Sequence, residues 1–171
     1  MTEREPVEVT NLDRYGNAAL PWSRPSEQFA GATGPDLAYF LSTCGHDGRP
    51  HSTGIGALWD DGDLYFVSGP GTRKSRNLAA NPACAVSVRL RGIDLVLEGE
   101  AVRVTEPATL ERLAARYRDG GWPAEVSGAA FTAPFNAPSA GPPPWQLYRL
   151  VQRTAFGVAT EEPHGATRWR F

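Results

Sequence analysis

Five consecutive residues hold most of the chemistry this sequence offers: Thr72, Arg73, Lys74, Ser75 and Arg76. They come after a glycine break, Gly69-Pro70-Gly71, and before that an apolar run, Leu64-Tyr65-Phe66-Val67, which ends in Ser68. The order reads as a buried strand, a turn, and a short helix capped by Thr72. Asn81 in the left-handed region and then Pro82 would end that helix. Cations are badly placed in the first turn of a helix. The free backbone N–H groups and the helix dipole already make that end positive, so each exposed cation there costs about 0.3–1 kcal/mol. A bound anion reverses the sign, and helix N-termini are ready phosphate sites to which hydroxyls add donors. The spacing points to a gripped phosphate, with Arg73 and Lys74 ranked ahead of Ser75 and Arg76. The bland alternative is a solvated basic turn. Neither Gly-x-x-x-x-Gly-Lys-Ser/Thr nor Gly-x-Gly-x-x-Gly occurs, so this is not a nucleoside-triphosphate loop or a dinucleotide fingerprint.

Other residues suited to chemistry are sparse. His51 and Tyr148 are the candidate proton donors, though a strand-edge histidine is the better account of His51. His46, His51 and His164 have no metal-ligand spacing with one another or with cysteine, and no metal site is expected. Cys44 and Cys84 fall in apparent strands and read as reduced core thiols. Gly54 and Gly56 interrupt a strand pattern, which marks a bulge or the close approach of a ligand or another backbone.

The elements that must position these groups follow from pattern. Residues 1–25 read as an extended polar arm pinned by Tyr15 and Trp22, with Ser26 capping a short helix ended by Gly31, Gly34 and Pro35. Strands are expected over Leu37–Thr43, His51–Trp59 and Leu64–Ser68, joined by Asp-Gly turns. Cys84–Val88 and Ile93–Thr105 add two more. Leu110, Leu113, Ala114 and Tyr117 recur at helical spacing after Glu106-Pro107. Residues 120–144 read as a long loop that Pro134, Pro138, Pro142, Pro143 and Pro144 keep irregular, with Trp122, Phe131 and Phe135 packing it on something apolar. Trp145–Val151 and Thr154–Ala159 read as a last hairpin before an aromatic, cationic tail. Many short antiparallel strands with two or three short helices imply a mainly β, barrel-type single domain over residues 1–171.

Composition narrows the partners. The 171 residues include 17 Lys+Arg against 19 Asp+Glu, a net charge of −2. That balance does not suit a nucleic-acid or membrane-surface role. No apolar stretch approaches the ~20 residues of a transmembrane helix, and the first residues lack a signal-type apolar core. A cytoplasmic location is the expectation.

The run Asp-Gly, Arg-Pro-His-Ser-Thr, Asp-Gly, Leu-Tyr-Phe, Thr-Arg-Lys-x-x-Asn-Leu-x-x-Asn-Pro resembles the pyridoxamine 5′-phosphate oxidase-like, FMN-binding split-barrel superfamily, and its flavin/deazaflavin oxidoreductase branch. The resemblance spans roughly residues 36–105, and the Thr-Arg-Lys segment is its specific part. It implies a split β-barrel that binds FMN or coenzyme F420. By position it implies that Thr72, Arg73 and Lys74 hold the cofactor phosphate, that Ser52, Thr53, Gly54 and Ile55 line the flavin, and that Val67 and Ser68 touch its ring or ribityl chain. It also implies hydride exchange with a small organic substrate and a homodimer with cofactors at the subunit interface, where Trp145 and Trp169 either pack the core or dimer or stack near a partner's flavin. A non-catalytic flavin, F420 or haem store or sensor is the alternative on the same barrel. Only Trp145-x-Leu-Tyr-Arg-Leu echoes the C-terminal substrate segment of the vitamin-making oxidases, so pyridoxamine phosphate oxidation itself is not expected.

Overall fold

A computed structural model describes residues 4–31, 37–135 and 138–171. Gly34 and Pro35, expected to end the first helix, lie outside the described residues. The chain runs β1 (Glu8–Asn11), α1 (Ser23–Gly31), β2 (Tyr39–Cys44), β3 (Pro50–Ile55), β4 (Ala57–Asp60), β5 (Asp63–Ser68), α2 (Arg73–Ala80), β6 (Ala83–Leu90), β7 (Ile93–Val104), α3 (Pro107–Asp119), β8 (Glu125–Ser127), β9 (Ala130–Thr132), β10 (Gln146–Ala159) and β11 (Ala166–Arg170).

The main sheet is antiparallel, with strand order β1-β11-β10-β7-β6-β2-β3. It forks at β10. Gln146–Leu150 pairs with β5 on one edge, whereas Thr154–Val158 pairs with β11 on that edge, and β7 runs along the other. β4 then pairs with β5. The two free ends of the curl, β3 and β4, follow one another in the chain at Gly56, with no ladder between them among the described residues. This is the split barrel expected from the sequence.

Two apolar clusters hold it together. Leu41, Phe66, Val86, Leu97, Leu150 and Trp169 belong to the barrel interior. Tyr65, Val67, Leu113, Phe131, Trp145 and Leu147 form a second layer with α3. Alternation along β5 sends Leu64 and Phe66 to the first cluster and Tyr65 and Val67 to the second, so all six of its residues are buried. A strand covered on both faces reads as a continuous apolar run, as Leu64–Val67 does.

Several expectations need correction. The polar arm contains β1, which pairs with β11; Trp22 is buried, but Tyr15 is 93% exposed and pins nothing. Helix α1 begins at Ser23, so Ser26 lies inside it, buried, rather than capping it. The return strand after Pro50 breaks at Gly56 into β3 and β4. Asn81 ends α2 in an extended conformation (φ −145°), not a left-handed one, because Ala83 is already in strand pairing with Glu100. The loop 120–144 contains the β8–β9 hairpin in its proline-poor middle. The supposed last hairpin is one 14-residue strand, β10, whose register shifts between Gln152 and Thr154. Gly99 faces that irregularity, and a Cβ there would collide with the Val151 carbonyl, so glycine lets the strand bulge and continue. The hairpin partner of β10 is the tail itself, β11.

Candidate functional site

The turn between β5 and α2 is built from hydroxyls. Thr72 caps α2 as expected, its Oγ1 accepting from the Ser75 N–H. Ser68 Oγ lies 2.9 Å from Thr72 Oγ1 and 2.7 Å from Ser75 Oγ, and Thr72 Oγ1–H donates to the Gly69 carbonyl at 2.9 Å. Since Thr72 spends its proton on Gly69, Ser68 donates to Thr72 and Ser75 donates to Ser68. Ser68 and Ser75 are buried, so these hydroxyls chiefly fix the turn. Gly69 N–H donates to the Ala140 carbonyl at 2.6 Å, which ties the turn to the proline-rich loop. A Cβ on Gly69 would strike that carbonyl.

The cations of the first helical turn do not converge. Lys74 is buried, and its ammonium donates to the Ser139 carbonyl. Burial pushes its pKa below the ordinary 10.5. Arg73 and Arg76 are exposed. Arg76 folds back to donate to the Gly71 carbonyl at 2.5 Å. Both arginines line a cleft of about 350 Å³ between α2 and the β2–β3 turn, together with His46, Asp47 and Asn77. Asn77 donates to Thr43 Oγ1 at 3.0 Å, which fastens α2 to β2.

The remaining expected site residues fall on two faces. Ile55 is buried and Thr53 half-buried, on the inner side with His51; Ser52 and Gly54 are exposed on the outer side, where Ser52 Oγ lies 3.3 Å from Ser42 Oγ. Because side chains alternate, these four residues share one ligand only through the backbone. β3 has such an edge, since among the described residues it pairs only with β2. A Cβ on Gly54 in β3, on Gly56 just after it, or on Gly71 in the turn before α2 would meet nothing within 4 Å, so there is open space at all three.

Val67 opens onto a different space, an apolar cavity of about 360 Å³ walled by Gly56, Leu58, Val67, Tyr117, Trp122 and Phe135. Pro138, Ser139 and Ala140 close one side, so the loop that accepts from Lys74 and Gly69 also walls this cavity. Its aromatic wall is interlocked: Tyr117 packs edge-on against Trp122 (5.0 Å) and Phe131 (5.9 Å). Sequence reasoning placed Trp122 and Phe135 against something apolar but missed Tyr117, whose helical spacing reads only as core. Tyr148 stacks on Phe66 and donates to Gln146 Oε1 at 2.9 Å. Trp145 and Trp169 are wholly buried, their indole N–H groups bonded to Gly141 and Leu20 carbonyls, so both are core residues in this chain.

Residues 34–139 match the family model described as pyridoxamine 5′-phosphate oxidase. The chain belongs to that family. Among solved structures, a pyridoxamine 5′-phosphate oxidase-related, FMN-binding protein from Nostoc punctiforme is 17% identical, with a TM-score of 0.56 over 86% of this chain and 89% of that one. PhzG from Burkholderia lata, in complex with tetrahydrophenazine-1-carboxylic acid, is 19% identical, with a TM-score of 0.54 over 85% and 80%. A NimC/NimA family protein from Clostridium acetobutylicum is 14% identical, with a TM-score of 0.58 over 85% and 90%. At these identities the likeness is one of fold. No curated protein matches the chain.

Proposed function

We propose that this family member is an oxidoreductase that holds FMN or coenzyme F420 between the free edge of β3 and the start of α2, and exchanges hydride with a small organic compound. The observation that carries this reading is the junction of open space and a guanidinium, that of Arg73, which makes no ion pair among the described residues. Gly54 and Gly56 leave room beside an edge strand, Gly71 leaves room in the turn before α2, and Arg73 stands exposed at the N-terminal end of that eight-residue helix. Free helical N–H groups and a guanidinium suit a phosphate. The donor set therefore fits the group, with Arg73 and the α2 backbone as its anchors. Lys74 contributes only if it leaves Ser139. When bound, the flavin or deazaflavin supplies the hydride chemistry. The chain's own part is to seat the ring along β3, shield it with Val67 and the adjoining apolar wall, and hold the phosphate.

A homodimer completes the proposal. One row across the outer sheet face reads Gly54, Phe40, Ser87, Val96, Phe156. Phe40 is 51% exposed there, beside the strand assigned to the cofactor. A second copy covering this row would place the cofactor at the interface. The relative described as FMN-binding and the one crystallised with tetrahydrophenazine-1-carboxylic acid support the reading by analogy.

Separate titrations of the purified protein with FMN and F420 test it, alongside turnover of the reduced cofactor. Saturable binding with turnover supports the enzyme, and binding without turnover supports a store or sensor. Light scattering should give a particle of twice the 18.5 kDa chain mass. Failure of both cofactors to bind removes the proposal.

A further inference from the structure

We infer that Asn77 is a positioning residue for the cofactor: its hydrogen bond to Thr43 is the strut that keeps the phosphate end of the site, on α2, in register with the ring end, on β3. That role rests on the function proposed above and belongs to the same site.

The two ends of the site lie on separate pieces of chain. Arg73 and the first N–H groups of α2 follow β5, whereas Ser52 to Ile55 belong to the β2–β3 hairpin. The hydroxyls of Ser68, Thr72 and Ser75 fix the start of α2 to the end of β5, and Lys74 fixes it to the proline-rich loop. Neither tie reaches the hairpin. Among the described residues one side-chain hydrogen bond does, from Asn77 Nδ2 to Thr43 Oγ1 at 3.0 Å. Asn77 and Thr43 are both buried, where such a bond is electrostatically stronger than in water.

The strut is well placed to set the distance between the two ends. Thr43 faces His51 across the β2–β3 ladder, one position from the Ser42–Ser52 pair. Among the described residues β3 has no strand on its other side, so its placement depends on β2. On the helix, Asn77 comes one turn after Arg73 on the same face, and both line the cleft of about 350 Å³ beside the β2–β3 turn. A shift of α2 at Asn77 therefore moves Arg73 relative to β3. Leu78, buried in the barrel cluster, keeps α2 docked without the strut, but apolar burial is non-directional and does not set that position. A ligand that spans both ends needs the strut, and one that uses the ring end alone does not.

The test compares the affinity of the full chain for FMN and for riboflavin, which lacks only the phosphate. Thr43→Val removes the acceptor at nearly constant shape, Thr43→Ser keeps it, and Asn77→Ala removes the donor. Without its strut α2 spends part of its time out of place, and apparent affinity falls with the fraction left in place. Thr43→Val and Asn77→Ala should each lower the FMN-to-riboflavin affinity ratio ~5–10-fold, the worth of one buried hydrogen bond, and leave riboflavin itself within ~2-fold. The double variant should lie within ~2-fold of Asn77→Ala, because both changes remove the same bond. Thr43→Ser should keep the wild-type ratio within ~2-fold. A residue that only stabilises the fold would lower Tm without moving the ratio. If the protein takes F420, then F420 and its phosphate-free deazariboflavin replace this pair. Should Asn77→Ala not fold, Thr43→Val against Thr43→Ser decides the matter. The positioning role is overturned if Thr43→Val leaves the ratio unchanged or if the two single effects add in the double variant. In either case the cofactor reading stands as long as the wild type prefers the phosphorylated ligand. A wild type that binds neither flavin nor deazaflavin overturns both.

Discussion

Arg73 and Lys74 are neighbours in sequence, yet the structure gives them different work, and paired substitutions separate the two roles. Lys74→Met keeps most of the side chain's volume and removes its ammonium. The loss is one charge-assisted bond to the Ser139 carbonyl, which is then left unmade in a buried setting. Hydrogen bonds from charged groups contribute about 1.5–3 kcal/mol net, partly offset here by the relief of a buried charge, so a fall of about 1–2 kcal/mol is expected. In a domain of this size that lowers Tm by roughly 2–8 °C. The sign with pH follows from linkage. Burial lowers the pKa of Lys74, so between the folded value and 10.5 the unfolded chain binds the extra proton, and wild-type stability gains as pH rises through that window. The Tm gap between wild type and Lys74→Met should therefore widen from neutral pH towards pH 10. Arg73→Ala should do the reverse, leaving Tm within about 1–2 °C because the side chain is exposed. It should weaken cofactor binding by about tenfold or more, the worth of one charge-assisted phosphate contact. Scanning calorimetry at several pH values and cofactor titration read both effects. If Lys74→Met leaves Tm unchanged and costs more cofactor affinity than Arg73→Ala, Lys74 abandons Ser139 for the phosphate, and the division of labour between the two cations is refuted.

Three further outcomes are expected. Gly69→Ala should displace the Ala140 carbonyl, break the Gly69–Ala140 hydrogen bond and destabilise by about 1–3 kcal/mol, measured by urea unfolding; an unchanged midpoint would show that the loop gives way freely. Gly99→Ala should cost a similar 1–3 kcal/mol, because the added Cβ meets backbone at the β10 bulge; a neutral result would mean the bulge relaxes. Burial pushes the Cys84 thiol up to about 12, so at pH 8 its thiolate fraction is roughly 10⁻⁴ and maleimide labelling should require unfolding; rapid labelling of the native protein at Cys84 would contradict its burial.

How much of this was legible in the chain depended on how local the signal was. The β5–turn–α2 unit was readable because each step has its own residue: an apolar run, a glycine break, a threonine cap and a proline stop. The α3 boundaries were readable from Glu106-Pro107 and the Leu110, Leu113, Tyr117 spacing. The continuity of β10 was not, because Gln152-Arg153 looks like a turn and the residue that lets the strand pass, Gly99, lies far away in sequence. The pairing of β1 with β11 joins the two ends of the chain and has no local trace. The separation of Lys74 from Arg73 was hidden for the same reason: consecutive helical residues point about 100° apart, and what each one meets is decided by a loop some sixty positions later. The aromatic cavity was half visible, through Trp122 and Phe135, and Tyr117 joined its wall only once α3 was docked.

The fork at β10 has a consequence for how this chain can be cut. One ribbon borders β7 throughout while its opposite edge exchanges β5 for β11, so both halves of the sheet depend on its being unbroken. New termini introduced at Gln152-Arg153 would sever the barrel from the strands that bring the two chain ends together. The same operation in the exposed turn between β10 and β11 would leave every ladder intact. Circular permutants opened at these two places should thus differ sharply, the first failing to assemble and the second folding.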